Sequence, residues 1–561
     1  MMTAYNFMKH GSKILLLILL FACGKKNGGG GGTPTPTPTN FVLSAWSING
    51  VPAKSQYFDV NRNPNIRFKF SAPLSRSTVP ANIVLKEASG NNITYTVAYE
   101  SADSTVVLQP SQALPYLTRY TISVSDQLRS SAGGKLISGT EINFLTSLDS
   151  SRKFPLISDD DLLTLVQRQT FKYFWDFAHP VSGLARERNT SGETVTSGGS
   201  GFGIMAIVTG IHRNFITRAE GLARMQKITG FLKSTAKTFH GAFPHWLNGT
   251  SGDVIPFSAK DNGADLVETA YLIQGLLTAR QYFNGADAAE TNLRADINTI
   301  WNRVEWNWFR KNNENVLYWH WSPDYNWDMN MPIKGWNECL ITYTQAASST
   351  TFNIPKVVYD QGWASNGGMA NNNTYYGIQL PLGPSYGGPL FFAHYSFLGI
   401  DPNGLTDAYA NYLTQNKNHT LINYNYCKAN PKGYFGYSDS CWGLTASDIK
   451  NGYSASSPTN DLGVIAPTAA LSSFPYTPVE SMKALKFFYY VLGDKIWKEY
   501  GFVDAFSLND PWFASSFLAI DQGPIIVMIE NYRSGLLWNL YMSCPEVKTG
   551  MQSLGFQSPH F

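Results

Sequence analysis

Two periodicities divide the chain. Between residues 41 and 149 apolar and polar positions alternate, as in Ile66-Arg67-Phe68-Lys69-Phe70, Thr94-Tyr95-Thr96-Val97 and Thr121-Ile122-Ser123-Val124. A period of two turns one face of a strand toward a core. Ile83-Val84-Leu85 and Val106-Val107-Leu108 are short apolar runs among turn clusters such as Ser89-Gly90-Asn91-Asn92 and Gly133-Gly134. Short strands with regular turns over ~100 residues predict a β-sandwich. After Ser158 the period changes. Ser158 precedes Asp159, Asp160 and Asp161, a helix N-cap with acids in the first turn. Leu162, Leu165, Val166, Gln169 and Tyr173 then recur at helical spacing. The same spacing predicts helices over 218–238, 264–282, 295–308 and 480–500. Another, over 525–542, is apolar nearly all round and therefore buried. Long loops rich in Gly, Pro, Asn and aromatics separate these helices, and such loops are usually functional. The body from 150 to 561 is therefore predicted to be mainly α, paired helices ringing a cleft in an (α/α)6 toroid.

The first 40 residues belong to neither pattern. Lys9 and Lys13 precede an unbroken apolar run from Ile14 to Phe21, too short to span a bilayer. Leu20-Phe21-Ala22-Cys23 resembles a bacterial lipobox, which implies a signal peptide over 1–22 and lipidation of Cys23. Residues 23–40, a glycine run followed by Thr-Pro repeats, read as a tether. An exported lipoprotein is expected, held to a membrane by its lipid. Lys25 and Lys26 favour a periplasm-facing outer-membrane site over the cell surface.

Of the 561 residues, 43% are hydrophobic, 14% aromatic and 15% charged. That balance excludes disorder. The net charge of +3 comes from the leader, which holds four lysines and no acid. Without a basic surplus, a nucleic-acid partner loses its main driving force. Four cysteines remain in the body; Cys427 and Cys441 flank a Gly, Tyr and Ser-rich loop and are the candidates for a bridge, while Cys339 and Cys544 read as buried thiols. No zinc spacing occurs, and no metal or cofactor is expected.

Two short motifs are misleading. Gly201-Phe202-Gly203-Ile204-Met205-Ala206 lacks the hydrophobic strand that a dinucleotide fingerprint requires. Gly383-Pro384-Ser385-Tyr386-Gly387 imitates a nucleophile elbow without the βα alternation to support one.

The informative stretch runs from Lys260 to Leu272. Asp261, Asp265 and Glu268 fall at i, i+4 and i+7 on one helical stripe, with no Lys or Arg at i+3 or i+4 to relieve them. Mutual repulsion raises a carboxyl pKa, which suits a general acid. Glu338 and Asp521 also lie in apolar surroundings. Glu530 and Arg533 are expected to pair within their helix, and Glu187, between Arg186 and Arg188, reads as a solvated or ion-paired loop acid. Rings accompany the acids in loops: Trp319, Trp321, Trp327, Trp336, Trp363, Tyr386, Tyr395 and Trp442. Rings stack on sugar faces while carboxylates bond hydroxyls, so a neutral glycan and two-carboxylate hydrolysis fit best.

Six long segments carry a resemblance. They are Phe171 to Asp176, Ser182 to Arg188, Asp261 to Thr269, Gly388 to Gly399, Ile465 to Leu471 and Ile520 to Arg533. The body from 155 to 545 resembles the glucoamylase-like glycoside hydrolase family 144, the β-1,2-glucanases. The segment before it resembles bacterial Ig-like modules, with a spacer role favoured over glycan binding. The resemblance implies a toroid, hydrolysis of β-1,2-glucan or its oligosaccharides, and inversion. It maps acidic positions onto Asp261, Asp265, Glu268, Glu338 and Asp521. Candidate sugar contacts are Trp336, Tyr386, Tyr395 and Trp363, with Arg186 and His394 from the matching segments. Inverting acid and base stand ~6.5–9.5 Å apart. Helix neighbours have Cβ atoms only ~5–6 Å apart. Asp265 and Glu268 are thus expected to form one pole, with Glu338 or Asp521 the other. A monomer is expected; the rival classes are a glycan-binding lipoprotein serving a transporter and a polysaccharide lyase.

Overall fold

A computed structural model describes residues 38–561. The leader, Cys23 and most of the tether lie outside the described residues. The chain divides into two compact units, one built from residues up to 55 with 64–111 and 121–142, the other from 56–63, 112–120 and 143–561.

The β portion contains nine strands: β1 (Leu43–Ile48), β2 (Val51–Pro52), β3 (Gln56–Val60), β4 (Ile66–Phe70), β5 (Ile83–Glu87), β6 (Tyr95–Glu100), β7 (Thr105–Pro110), β8 (Arg119–Val124) and β9 (Thr140–Thr146). One sheet runs β2-β1-β4-β7-β6 and a second β3-β9-β8-β5. The alternation read from the sequence is realised in β4, where Ile66, Phe68 and Phe70 are buried and Lys69 is exposed. Phe68 sits opposite Val106 of antiparallel β7, an apolar cross-strand pair.

The helical unit follows the expected design. Its main helices are α1 (Asp159–Trp175), α2 (Ser197–His212), α3 (Arg218–Ser234), α4 (Leu266–Tyr282), α5 (Ala288–Asn302), α6 (Leu340–Ser348), α7 (Tyr412–Ala429), α8 (Pro467–Leu471), α9 (Pro478–Lys486), α10 (Ala519–Ser534), α11 (Leu536–Met542) and α12 (Pro545–Leu554). Amphipathic α1, α3, α5, α7 and α9 alternate along the chain with α2, α4, α6, α8 and α10, which are buried almost throughout. This alternation of outer and inner helices is that of an α/α toroid. Ser158 caps α1 as predicted, accepting a hydrogen bond from the Asp161 amide; such a cap stabilises by about 1 kcal/mol.

The inner helices approach closely because glycines line their contacts. α2 packs on α4 and α10. A Cβ at Gly201 would fall on the Tyr271 carbonyl, and one at Gly275 on the Gly201 carbonyl. The glycine pattern that imitates a nucleotide fingerprint is thus a helix-packing device.

Several local expectations need correction. α5 starts at Ala288, because Asp287 caps it by accepting from the Ala289 and Glu290 amides. The span 480–500 is broken: α9 ends at Lys486, a wider π turn covers Phe487–Val491, and Trp497–Lys498 pairs with Gly501–Phe502. The apolar span after 525 is two helices, parted by Gly535 at φ +67°. Glu530 pairs with Arg213 at 2.6 Å, while Arg533 reaches Asp160 and Gln167. Cys427 and Cys441 are separate buried thiols in a tyrosine-rich core rather than a bridge, and Cys339 and Cys544 are also free and buried. Among the described residues, no helix is long and apolar enough to cross a membrane.

The glycine contact predicts that Gly201→Ala forces α2 and α4 apart and lowers stability by about 3 kcal/mol, measured by denaturant unfolding.

Candidate active site

Asp261, Asp265 and Glu268 do converge, though not as a helical stripe. Asp261 is in the loop before α4, Asp265 is the N-cap, and only Glu268 lies in the helix. The first-turn geometry brings them together. Asp265 Oδ1 accepts from the Val267 and Glu268 amides at 3.0 and 2.9 Å. Its Oδ2 stands 3.0 Å from His245 Nδ1. The short strand pairing of Ala264–Asp265 with His320–Trp321 sets His320 opposite Asp265. His320 Nε2 then lies 3.4 Å from Asp261 and 3.6 Å from Asp265. The missing counter-charge is therefore His245, from a distant loop, while His320 adds a second imidazole that burial holds below its ordinary value.

Glu268 points back toward the start of α2. Its Oε2 accepts from the Gly198 amide at 2.8 Å and faces the Thr196 hydroxyl at 3.4 Å. Only glycine fits at 198, since a Cβ there would strike the Glu268 carboxylate. Glu338, just ahead of α6, belongs to the same group: Glu268 and Asp265 both act on its ionisation.

Burial and crowding spread the ionisation of these acids. Burial first, then the Asp265 charge, pushes Asp261 up to about 7. Burial also pushes Glu338 to about 7 and raises Glu268. Asp265 is burdened by burial too, but the His245 hydrogen bond and both imidazoles hold it below its ordinary value. Burial works against a charged His245, yet Glu268, Asp265 and Asp261 lift it to about 9. The group thus keeps Asp265 ionised and His245 cationic at neutral pH while retaining protons on neighbouring carboxyls. His245, Asp261 and Asp265 offer ligand atoms within 4.8 Å of one another, a spacing able to hold a cation. The capping and histidine bonds of Asp265 already engage both of its oxygens.

Glu268 opens on a cavity of about 410 Å³. Phe257, Trp246, Tyr395, Tyr453 and Phe391 give it aromatic walls, and Glu187 with Arg188 forms another part. Phe257 is 51% and Tyr453 50% exposed.

Asp521 lies in a second acidic group, buried in the first turn of α10. Asp504 Oδ1 and both Asp521 oxygens are buried without a hydrogen-bond partner, and the two carboxyls act on each other's ionisation. Burial pushes Asp504 up to about 7, although the Asp448 amide bond works against it; burial and the Asp504 charge take Asp521 well above its ordinary value. Asp504 Oδ2 accepts from the Asp448 amide at 2.6 Å.

Of the expected sugar contacts, Tyr395 lines the cavity. The others do not. Trp336 and Trp363 are buried and pack on each other, with Phe397, Tyr412 and Tyr343 around them. His394 is a core histidine bonded to Ser473 at 3.0 Å, and burial drives it down to about 3. Tyr386 packs on Tyr375 at 4.2 Å in a separate loop. Arg186 braces its loop through the Gly192 and Phe177 carbonyls. Sequence reading misplaced these rings because a loop aromatic in a large domain is as often core as surface. It missed His245 and His320, both beside tryptophans, and Asp504, an acid inside the apolar run Val503 to Phe506.

The family model described as "Putative glucoamylase" matches residues 330–545, and one described as "Bacterial Ig-like domain" matches 47–146. The chain is 45% identical over 496 residues to an exo β-1,2-glucooligosaccharide sophorohydrolase (non-reducing end) of Parabacteroides distasonis, covering 83% of this chain and 68% of the relative. It is 53% identical to an endo-β-1,2-glucanase from Chitinophaga pinensis, solved with sophorotriose and glucose, at a TM-score of 0.71 over 72% of this chain and 100% of that one. A β-1,2-glucanase structure from Parabacteroides distasonis is 39% identical, at a TM-score of 0.70 over 91% of this chain and 74% of that one.

The raised ionisation of buried Asp504 makes stability depend on pH. Asp504 has a folded pKa above its ordinary 3.8, so its contribution is full below about pH 4 and is lost as pH rises through about 7. The melting temperature of the native protein is predicted to fall between about pH 4 and 7 relative to that of Asp504→Asn, measured at constant ionic strength.

Proposed function

The chain belongs to glycoside hydrolase family 144, the β-1,2-glucanases and sophorohydrolases, and from that premise we propose that it hydrolyses β-1,2-glucan or its oligosaccharides with inversion. The observation that carries the reading is the ring-lined cavity with Glu268 in its wall and a proton-holding carboxylate group behind that residue. A sugar stacks on the exposed Phe257 and Tyr453 rings. Glu268 protonates the departing glycosidic oxygen as the C1–O bond breaks, and a water attacks C1 from the opposite face. Asp265 stays ionised and fixes the start of α4, while Asp261 and Glu338 hold protons that keep Glu268 from facing a fully charged group.

A glycan-binding protein needs the rings but not this titrating group. A lyase needs cations free to neutralise a uronate, whereas the cations in this cavity wall, Arg188 and His245, are already paired with Glu187 and Asp265. Linear β-1,2-glucan should yield reducing sugar with no unsaturated product, and proton NMR should show the α anomer first. Glu268→Gln is expected to lower kcat at least ~100-fold. In the native enzyme kcat/KM should fall as pH rises past about 7, where Asp261 and Glu338 lose their protons.

The remaining parts of the reading rest on the sequence. The lipobox-like Leu20 to Cys23 and the Thr-Pro tether support a lipid anchor, Lys25 and Lys26 support a periplasm-facing location, and a monomer with its Ig-like module as spacer completes the proposal. Cys23→Ser should abolish palmitate labelling and shift the protein from membrane to soluble fractions, with hydrolysis unchanged.

A further inference from the structure

Hydrolysis with inversion needs a carboxylate across the sugar from the acid. Neither Glu338 nor Asp521 lines the cavity, and Asp521 is buried in the first turn of α10. Glu187 is the other carboxylate in the cavity wall. Resting on the hydrolase reading above, we propose that Glu187 is the base that faces Glu268, with Arg188, Asp448 and the Asp504–Asp521 pair as its positioning residues.

The backbone around Glu187 is fixed from both sides. Arg186 bridges to Val195, just before the Thr196 and Gly198 groups that hold Glu268. Arg188 bridges to Leu518, and the Ala519 amide donates to the Glu187 carbonyl at 2.9 Å, at the start of α10. One extended segment therefore joins the two acidic groups and sets their separation. The side chain is equally constrained: Arg188 Nε donates to both Glu187 oxygens at 3.1 and 2.9 Å. Arg188 Nη1 reaches Asp448 at 3.3 Å, Ser516 donates to Asp448 at 2.5 Å, and Asp448 is tied through its amide to Asp504.

Arg188 engages both oxygens of Glu187 and orients the carboxylate, and Asp448 keeps Arg188 aimed at it. In the step, the water oxygen bonds to C1 and its proton passes to the Glu187 carboxylate. The C1–O pair leaves with the aglycone oxygen, which takes the Glu268 proton. The Glu187 side chain is only 16% exposed, so it is largely shielded from bulk solvent.

The test uses the full-length enzyme on linear β-1,2-glucan. Glu187→Gln should lower kcat at least ~100-fold with KM within about threefold. Sodium azide should restore turnover to Glu187→Ala and give the α-configured glycosyl azide by NMR, a product that a merely structural role does not predict. A kcat for Glu187→Gln within about tenfold of native, or a loss confined to KM, would overturn the proposal. Should Glu187→Gln fail to fold by circular dichroism, Arg188→Lys decides. It keeps the charge but loses the fork, so a kcat lowered ~10-fold at constant KM supports the assignment and a native kcat overturns it. A native enzyme inactive on the glucan sinks the hydrolase reading and this one together; an active native enzyme with an active Glu187→Gln sinks this one alone.

Discussion

The Asp265 carboxylate is shared between a helix and two histidines, and the geometry around it follows from that sharing. One oxygen closes the open amides of α4, so the helix can begin only there. The other holds His245 and faces His320. With the start of α4 fixed, Glu268 sits at its third position and has one direction to point, toward the Gly198 amide and the cavity. A buried anion would be costly alone. Two helix amides and a cationic imidazole offset that cost, and the anion in turn keeps protons on its neighbours. A cap, a charge pair and a pKa device are the same group of atoms.

Much of this was legible in the sequence, for physical reasons. Alternation in Ile66 to Phe70 and the Ser158 cap are local signals, and local signals survive folding. The crowding of Asp261, Asp265 and Glu268 was visible because the residues are neighbours. The stripe geometry inferred for them was wrong, since a residue that caps a helix leaves the helical path, and a capping aspartate looks like a first-turn aspartate in sequence. Their imidazole partners were illegible: His245 and His320 reach the site through loop pairing, and no local period announces it. Trp336, Trp363 and His394 failed as sugar contacts for the converse reason. They lie in loop-like sequence but face inward, because a toroid buries its inner loops as well as its inner helices.

The extended segment at 186–188 shows how the toroid carries its site. Inner helices α2, α4 and α10 meet at glycine-lined contacts, and α4 and α10 add acidic first turns. Short backbone bridges then lock the loops between them. Glycines that resemble ligand-binding motifs serve this close packing, and the polar chemistry is left to residues at helix starts. The scarcity of charge in the chain is consistent with that arrangement: few acids are present, and most of those in the interior are hydrogen-bonded or lie in the two acidic groups.

The central claim is that the cavity between Glu268 and Glu187 is where a β-1,2-linked sugar chain is cut. The most direct measurement is a crystal structure of the Glu268→Gln protein soaked with a β-1,2-gluco-oligosaccharide. The account predicts an interglucosidic oxygen within about 3 Å of the side chain at position 268, with sugar faces against Phe257 and Tyr453. An oligosaccharide bound elsewhere, with no sugar atom touching position 268, would contradict it.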